Sequence, residues 1–139
     1  MDNVDKEIEI PSGLFGFEGL TRFILNRATQ EPFLILSSLE QEGLSFILID
    51  PLYFRPDYSP DLSGEDLKEI GVEEGQNDDL YALGIVTVRP EEDPQMTANL
   101  QGPIIINGAN MKAKQCISTN PKWQTRHDIL AEMKIRQGV

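Results

Sequence analysis

The sequence predicts an all-β fold, a small antiparallel β-barrel or sandwich of about seven strands with one short helix. Three observations carry this. Several short segments are rich in β-branched and aromatic residues and alternate or run apolar, as strands do. Turn signals built from Gly, Pro, Asn and Asp separate them at short, regular spacing. Only residues 63–72 carry clear helix signals. Ser63 can cap, Glu65 and Asp66 favour the first turn, Leu67 and Ile70 share a face, and Gly71 is a stop.

In chain order, residues 4–10 alternate. Val4, Lys6, Ile8 and Ile10 fall on one face and Asp5, Glu7 and Glu9 on the other, and Pro11-Ser12-Gly13 ends the strand. In residues 14–19, two aromatics among glycines indicate a packed loop. Phe15 and Phe17 either plug an end of the core or lie at a binding surface. Residues 20–26, 33–39 and 44–50 are the next strands, the last two joined through Glu42-Gly43. Asp50-Pro51 and Pro56 then break the sheet. The aromatics Tyr53, Phe54 and Tyr58, edged by Asp57, are either a protein-binding hot spot or an ordered crossover over an open barrel end. Residues 75–79 are turn, 80–88 a fifth strand and 90–94 a charged turn with two prolines.

The most informative stretch is 97–108. Ile104-Ile105-Ile106 reads as a strand buried on both faces. Pro103, which has no N–H to give a ladder, opens it, and Asn107-Gly108 closes it as a hairpin signal. Thr97 and Asn99 fix an irregular approach. Asn99, Leu100 and Gln101 are either turn residues that satisfy their own backbone or groups presented to a partner. Residues 111–118 alternate, with Met111, Ala113, Gln115 and Ile117 on one face and Lys112, Lys114 and Cys116 on the other. Residues 123–135 fit either a helix or a short strand and a tail.

The 139 residues favour one domain with a core that needs no metal or disulfide staple. One cysteine, no apolar run of about 18 residues and an acidic N-terminus read as a soluble intracellular protein, hence a cytoplasmic one. The net charge of −11 argues against direct nucleic-acid binding. Residues 57–79 hold nine acids against one lysine, a net of −8, and residues 111–139 hold six bases against two acids, a net of +4. Such a chain either steers a basic partner to one face or carries the acidic run as a solvated loop.

Chemistry is sparse. Cys116 and His127 are single residues of their type, and a nucleophile needs a base and an orienting group. The glycine-rich stretch 13–19 lacks the lysine of a phosphate loop. Histidine spacing for a metal is absent, and no cofactor is expected. The balance favours a binding protein. A small β-barrel enzyme with an acid pair, or a carbohydrate-binding module, is the alternative.

A set of ordered motifs adds to this reading. They are Pro11-Ser12-Gly13-Leu14-Phe15-Gly16-Phe17-Glu18, then Pro32-Phe33 with Ser37, Leu44-Ser45-Phe46 with Asp50-Pro51 and Phe54, and Pro56-Asp57-Tyr58. Val86-Thr87-Val88, Thr97-Ala98-Asn99-Leu100 and Pro103-Ile104-Ile105-Ile106-Asn107 follow. In order and spacing they resemble FliW, the family of bacterial flagellar assembly factors. The chain departs from that pattern at Trp123, where the family more often has tyrosine, ahead of Arg126-His127. The resemblance implies a cytoplasmic, non-enzymatic β-barrel that binds flagellin and binds CsrA, a dimeric RNA-binding translational regulator. It implies that CsrA is antagonised allosterically, from beside its RNA groove, so that repression of flagellin mRNA is relieved, while flagellin sequesters the factor.

Two sets of candidate partner-binding residues follow. The acidic set, Asp57, Asp61, Glu65, Asp66 and Glu69, would repel RNA phosphates within the Debye length of about 8 Å. The apolar set, Phe17, Phe54, Tyr58 and Leu100, would wall a groove for an amphipathic flagellin helix. Glu18 and Asn99 stand beside them as further contacts.

Overall fold

A computed structural model describes residues 5–73, 79–89 and 95–137, and the side chains of residues 5–73, 79–89 and 95–134. Val4, most of the 75–79 turn and the charged 90–94 turn lie outside the described residues. Seven strands, β1 (Lys6–Glu9), β2 (Arg22–Arg27), β3 (Leu34–Ser38), β4 (Ser45–Ile49), β5 (Leu80–Arg89), β6 (Gln95–Asn107) and β7 (Lys112–Gln115), form a barrel in which each pairs with the next in sequence. The all-β barrel expected from the sequence is therefore present. Its closure corrects one expectation. β1 and β7 pair in parallel, at Glu9 and Lys112. In a meander each strand reverses the last, so the first and seventh point the same way, and an odd-numbered barrel must close on a parallel pair.

The alternation read in the sequence fills this barrel. Ile8 and Ile10 of the first segment, Phe23 and Leu25, Leu34 and Leu36, Leu48, Leu83, and Ile104 and Ile106 meet in one buried cluster. Leu14 closes one end, and Phe17 packs edge-on against Phe46 with ring centroids 5.3 Å apart. Phe15 does not plug the core. It stands 49% exposed, because the Leu14–Phe17 bridge turns its neighbour inward and leaves it outside. Gly13 sets that turn at φ 71°, where a Cβ would lie 2.5 Å from the Cα of Glu18.

The 97–108 stretch differs most from expectation. It is strand as far as Asn107, and the irregularity is a bulge inside β6. Ile85 pairs with Asn99 and Leu83 with Ile104, so Leu100, Gln101, Gly102 and Pro103 face the single residue Gly84. The bulge is where a strand tolerates proline. Its backbone groups are all engaged. Leu100 and Gln101 N–H donate to the Gln124 carbonyl, the Pro103 carbonyl accepts from Cys116 N–H, and Gly102 N–H donates to Asn99 Oδ1 at 2.8 Å.

Two further layers cover the outside of the barrel. The helix α1 (Gly64–Glu69) begins as the sequence indicates, with Ser63 Oγ accepting from Asp66 N–H at 3.1 Å. It ends in a paired stop, Gly71 N–H to the Lys68 carbonyl and Val72 N–H to the Leu67 carbonyl, with Gly71 at φ 79°. Ile70 and Val72 then cover Ile105 and Cys116. Cys116 therefore lies under α1 on the face of Lys114, as predicted, and the alternation read over 111–118 breaks at Ile117, which is 59% exposed.

The second layer is built by residues 51–61 and the C-terminal segment. Both alternatives for 123–135 are realised, as β8 (His127–Asp128) beside β6 and α2 (Ile129–Gln137) after it. The crossover lies on the barrel's flank rather than over its end. Phe54, Tyr58, Trp123 and Ile129 bury Ile49, Val86, Ala98 and Leu100 there.

Candidate partner-binding surfaces

The crossover and C-terminal segment are locked by one polar network around Trp123. Asp50 Oδ1 accepts from Leu52 N–H at 3.0 Å and starts a 3-10 turn at Pro51–Tyr53. Phe54 then drops into the flank, fully buried. Tyr58 packs edge-on against Trp123 at 4.8 Å and donates its hydroxyl to the Leu100 carbonyl at 2.8 Å. Burial holds the Tyr58 hydroxyl protonated far above its ordinary range. Trp123 Nε1 donates to the Ser59 carbonyl at 3.2 Å.

Arg55 joins the two segments electrostatically. It donates to both oxygens of Asp57, at 3.0 and 2.9 Å, and to Glu132 Oε1 at 2.6 Å. Lys122 reaches Asp57 at 2.6 Å and also lies over the Trp123 ring. The Arg55 hydrogen bonds hold the Asp57 carboxyl well below the usual range. His127 Nε2 accepts from Gln124 N–H at 2.9 Å, which leaves the imidazole proton on Nδ1, 3.1 Å from Glu132 Oε1.

The acidic candidates are engaged in the same way. Asp61 accepts from the Ser118 and Thr119 hydroxyls and from the backbone N–H groups of Thr119 and Asn120. The Ser118 hydroxyl, first among these, holds the Asp61 carboxyl well below the usual carboxylate range. Asp66 and Glu69 both bind Lys114, and Ser12 donates to Glu69 at 2.5 Å. The acidic run and the basic C-terminal segment, separate in sequence, therefore neutralise each other in space. Within the anionic run expected over 57–79, Asp57, Asp66 and Glu69 are in ion pairs, Asp61 and Glu65 are exposed without an ion pair to a described residue, and residues 74–78 lie outside the described residues.

The apolar candidates change more. Phe54 and Leu100 are completely buried and Tyr58 nearly so, so none of them walls a surface groove. Their hydrophobicity is spent on the flank core, the crossover alternative of the sequence reading. Phe17 is half-buried on Phe46. Glu18 is exposed and accepts from Gly16 N–H at 3.1 Å, and Asn99 is half-buried and holds the β6 bulge.

Sequence reasoning named Tyr53 but missed Leu52 and Leu130 and the groove beside them. Leu52, Tyr53 and Leu130 are each more than half exposed. Beside them an open groove of about 440 Å³ runs between the 27–34 turn, the 3-10 turn and α2, with Pro32, Phe33, Tyr53 and Met133 as its apolar walls. The signal was partly present. Ile129 and Met133 share the buried helix face, which forces Leu130 outward.

Cys116 and His127 do not meet. The thiol lies under α1, where burial pushes it up to about 12, and the imidazole lies beside Trp123. Among the described residues no group of three His, Cys, Asp or Glu is placed to hold a metal ion, and no helix is long and apolar enough to cross a membrane.

Comparison with known proteins agrees with the motif reading. The FliW protein family model matches residues 2–129. The flagellar assembly factor FliW of Treponema denticola is 46% identical over 91% of this chain and 84% of its own length. That of Treponema pallidum is 42% identical over 94% and 85%. A crystal structure of the flagellar assembly factor FliW superposes with a TM-score of 0.77 at 32% identity, covering 90% of this chain and 86% of that one. The protein belongs to the FliW family.

Proposed function

We propose that the protein is a cytoplasmic, non-enzymatic binding protein of flagellar assembly that binds CsrA and flagellin in alternation. Bound to CsrA, it antagonises the regulator allosterically and relieves repression of flagellin mRNA. Bound to flagellin, it is sequestered and shields that subunit before export. The observation that carries this reading is the 46% identity with an assembly factor along nearly the whole chain. The net charge of −11 supports it, since an acidic protein suits a basic RNA-binding partner and repels the RNA that partner holds.

The surfaces are assigned on physical grounds. An amphipathic helix needs an exposed apolar groove, and the flank groove walled by Phe33, Tyr53 and Met133 offers one, with Leu52 and Leu130 exposed on the 3-10 turn and the helix that border it. Steering toward CsrA comes from the overall negative excess, because the 57–69 carboxylates are mostly paired internally.

The test is a titration of the protein into a preformed complex of CsrA dimer and flagellin-leader RNA, following RNA release with and without flagellin. RNA release that flagellin abolishes is the expected result. No release, with no binding to either protein, would overturn the reading.

A further inference from the structure

We propose that Asn107 is a conformationally gated modification site. It deamidates through the Gly108 nitrogen when the α1 layer lifts off the barrel, and it is spared while that layer is shut. Neither partner of the reading above is involved.

Asparagine followed by glycine is the pair most prone to this reaction, because glycine has no side chain to obstruct its own amide nitrogen. Of the asparagines in this chain, only Asn107 has glycine next. The Gly108 amide, deprotonated by solvent base, attacks Asn107 Cγ. An N–Cγ bond forms, the Cγ–Nδ2 bond breaks, and Nδ2 leaves as ammonia with a proton from water. Water then opens the resulting succinimide ring at either carbonyl, giving aspartate or isoaspartate. Water is the only co-reactant, and nothing is oxidised or reduced.

The folded chain denies each part of this step. Asn107 is the last residue of β6, paired with Leu80 on one side and Lys112 on the other, and is 6% exposed. Its Nδ2 donates to the Ile70 carbonyl at 2.8 Å and its Oδ1 accepts from Ala109 N–H at 3.0 Å, so the amide is not free to turn its carbon toward the Gly108 nitrogen. Gly108 N–H donates to the Asp79 carbonyl at 2.8 Å, which withholds that proton from solvent. Asn110 Nδ2 makes a second bond to the Ile70 carbonyl at 3.0 Å. Gly71 closes over both amides. A Cβ there would lie 2.7 Å from Asn110 Nδ2 and 3.9 Å from Asn107 Nδ2. The lock therefore belongs to the stop of α1 as much as to the strand.

The product does not return to the lock. Aspartate has no N–H for the Ile70 carbonyl and would set a carboxylate against that oxygen in a buried place. Isoaspartate runs the backbone through the side-chain carbon, which lengthens the end of β6 and breaks its pairing with both neighbours. Each opening of the α1 layer thus exposes the pair to permanent conversion, and the converted fraction records the time the chain has spent open.

The full chain is held at mildly alkaline pH in buffer and in guanidinium chloride, and peptide mapping follows the gain of about one mass unit at residue 107. Conversion at least about a hundredfold faster in denaturant is expected. Gly108→Val should slow it about tenfold or more in denaturant, where folding plays no part. Asn110→Ala, at an exposed position, should speed it several-fold in buffer and leave the denaturant rate unchanged. Asn107→Asp should unfold at lower urea than the parent or fail to fold. The proposal is overturned if residue 107 does not convert in denaturant, if the two rates agree, or if Gly108→Val converts as fast as the parent. A buffer rate unmoved by Asn110→Ala overturns the stop of α1 as the gate. An unchanged urea midpoint in Asn107→Asp overturns the one-way step.

Discussion

The guanidinium of Arg55 lies over the ring of Trp123, 4.9 Å from its centroid, while its nitrogens hold Asp57 and Glu132 on either side. This one side chain couples the 51–61 crossover to the C-terminal segment, and all three partners change if it is lost. Arg55 and Glu132 are both about four-fifths buried, so their pairing is screened less than a surface bridge. Arg55→Ala strips cover from Trp123 and leaves the Glu132 carboxylate without its arginine. The expected cost is about 2–4 kcal/mol, against about 0–1 for an exposed pair. Urea unfolding followed through Trp123, the single tryptophan, measures it. A loss within the surface range would show that burial alone holds the crossover.

Asp61 makes stability depend on acid. Its carboxyl is depressed in the folded state by the Ser118 hydroxyl first and Thr119 next. A depressed folded value means the unfolded chain binds the proton first, so the contribution is complete above the unfolded carboxylate value of about 4. It disappears as pH falls toward the folded value. In Asp61→Asn the group cannot titrate. The variant should be less stable than the parent at neutral pH and should lose less on acidification, so that the two urea midpoints converge below about pH 3. Parallel curves would mean that Asp61 has the same proton affinity in both states.

Phe54 and Leu100 test whether sequence-derived binding residues are core. Both are fully buried in the flank cluster. Phe54→Ala should cost about 3–5 kcal/mol and Leu100→Ala about 2–5, a large share of the roughly 5–15 a domain possesses. Any loss of partner binding in these variants should track loss of fold, read by near-ultraviolet circular dichroism of the Tyr58–Trp123 pair. Full native signal with binding lost would return them to the interface.

These residues also mark what the sequence could and could not reveal. Period-two alternation placed Ile8 and Ile10 on one face, and that face is inside the barrel, because strand geometry is local. The Ser63 cap and Gly71 stop were legible for the same reason. The β6 bulge was not. Pro103 reads as a strand start, and only the distant Gln124 and Cys116 backbones make it a bulge inside a longer strand. The ion pairs of Asp57, Asp66 and Glu69 were hidden likewise, since Lys122 and Lys114 lie far along the chain. An aromatic such as Phe54 reads the same whether it faces a partner or a neighbouring layer of its own fold. Only the second layer over the barrel decides the matter.

Cys116 should be chemically silent in the folded protein. It is 2% exposed, and burial pushes its thiol up to about 12. At pH 8 its thiolate population is then on the order of a thousandfold below that of a free cysteine. Alkylation by iodoacetamide should be negligible in buffer and rapid in urea, with the transition at the same midpoint as Trp123 fluorescence. Modification well before that midpoint would show that α1 opens separately from the barrel.

Tyr53 and Leu130 carry the partner prediction, because they are exposed where Phe54 and Leu100 are not. They are 55% and 54% exposed; Tyr53 lines the groove with Phe33 and Met133, and Leu130 is an exposed residue of α2, the helix that supplies Met133. A charge at such a position leaves the core intact, so Tyr53→Glu and Leu130→Glu should keep their urea midpoints. Each should nevertheless weaken flagellin binding by about tenfold or more, the range of an interface residue worth above 1 kcal/mol. Calorimetric titration with flagellin, paired with the RNA-release assay, separates the two partners. Loss of flagellin binding with CsrA antagonism intact would map the helix groove to this flank. Unchanged flagellin affinity in both variants would place that partner on another face of the barrel.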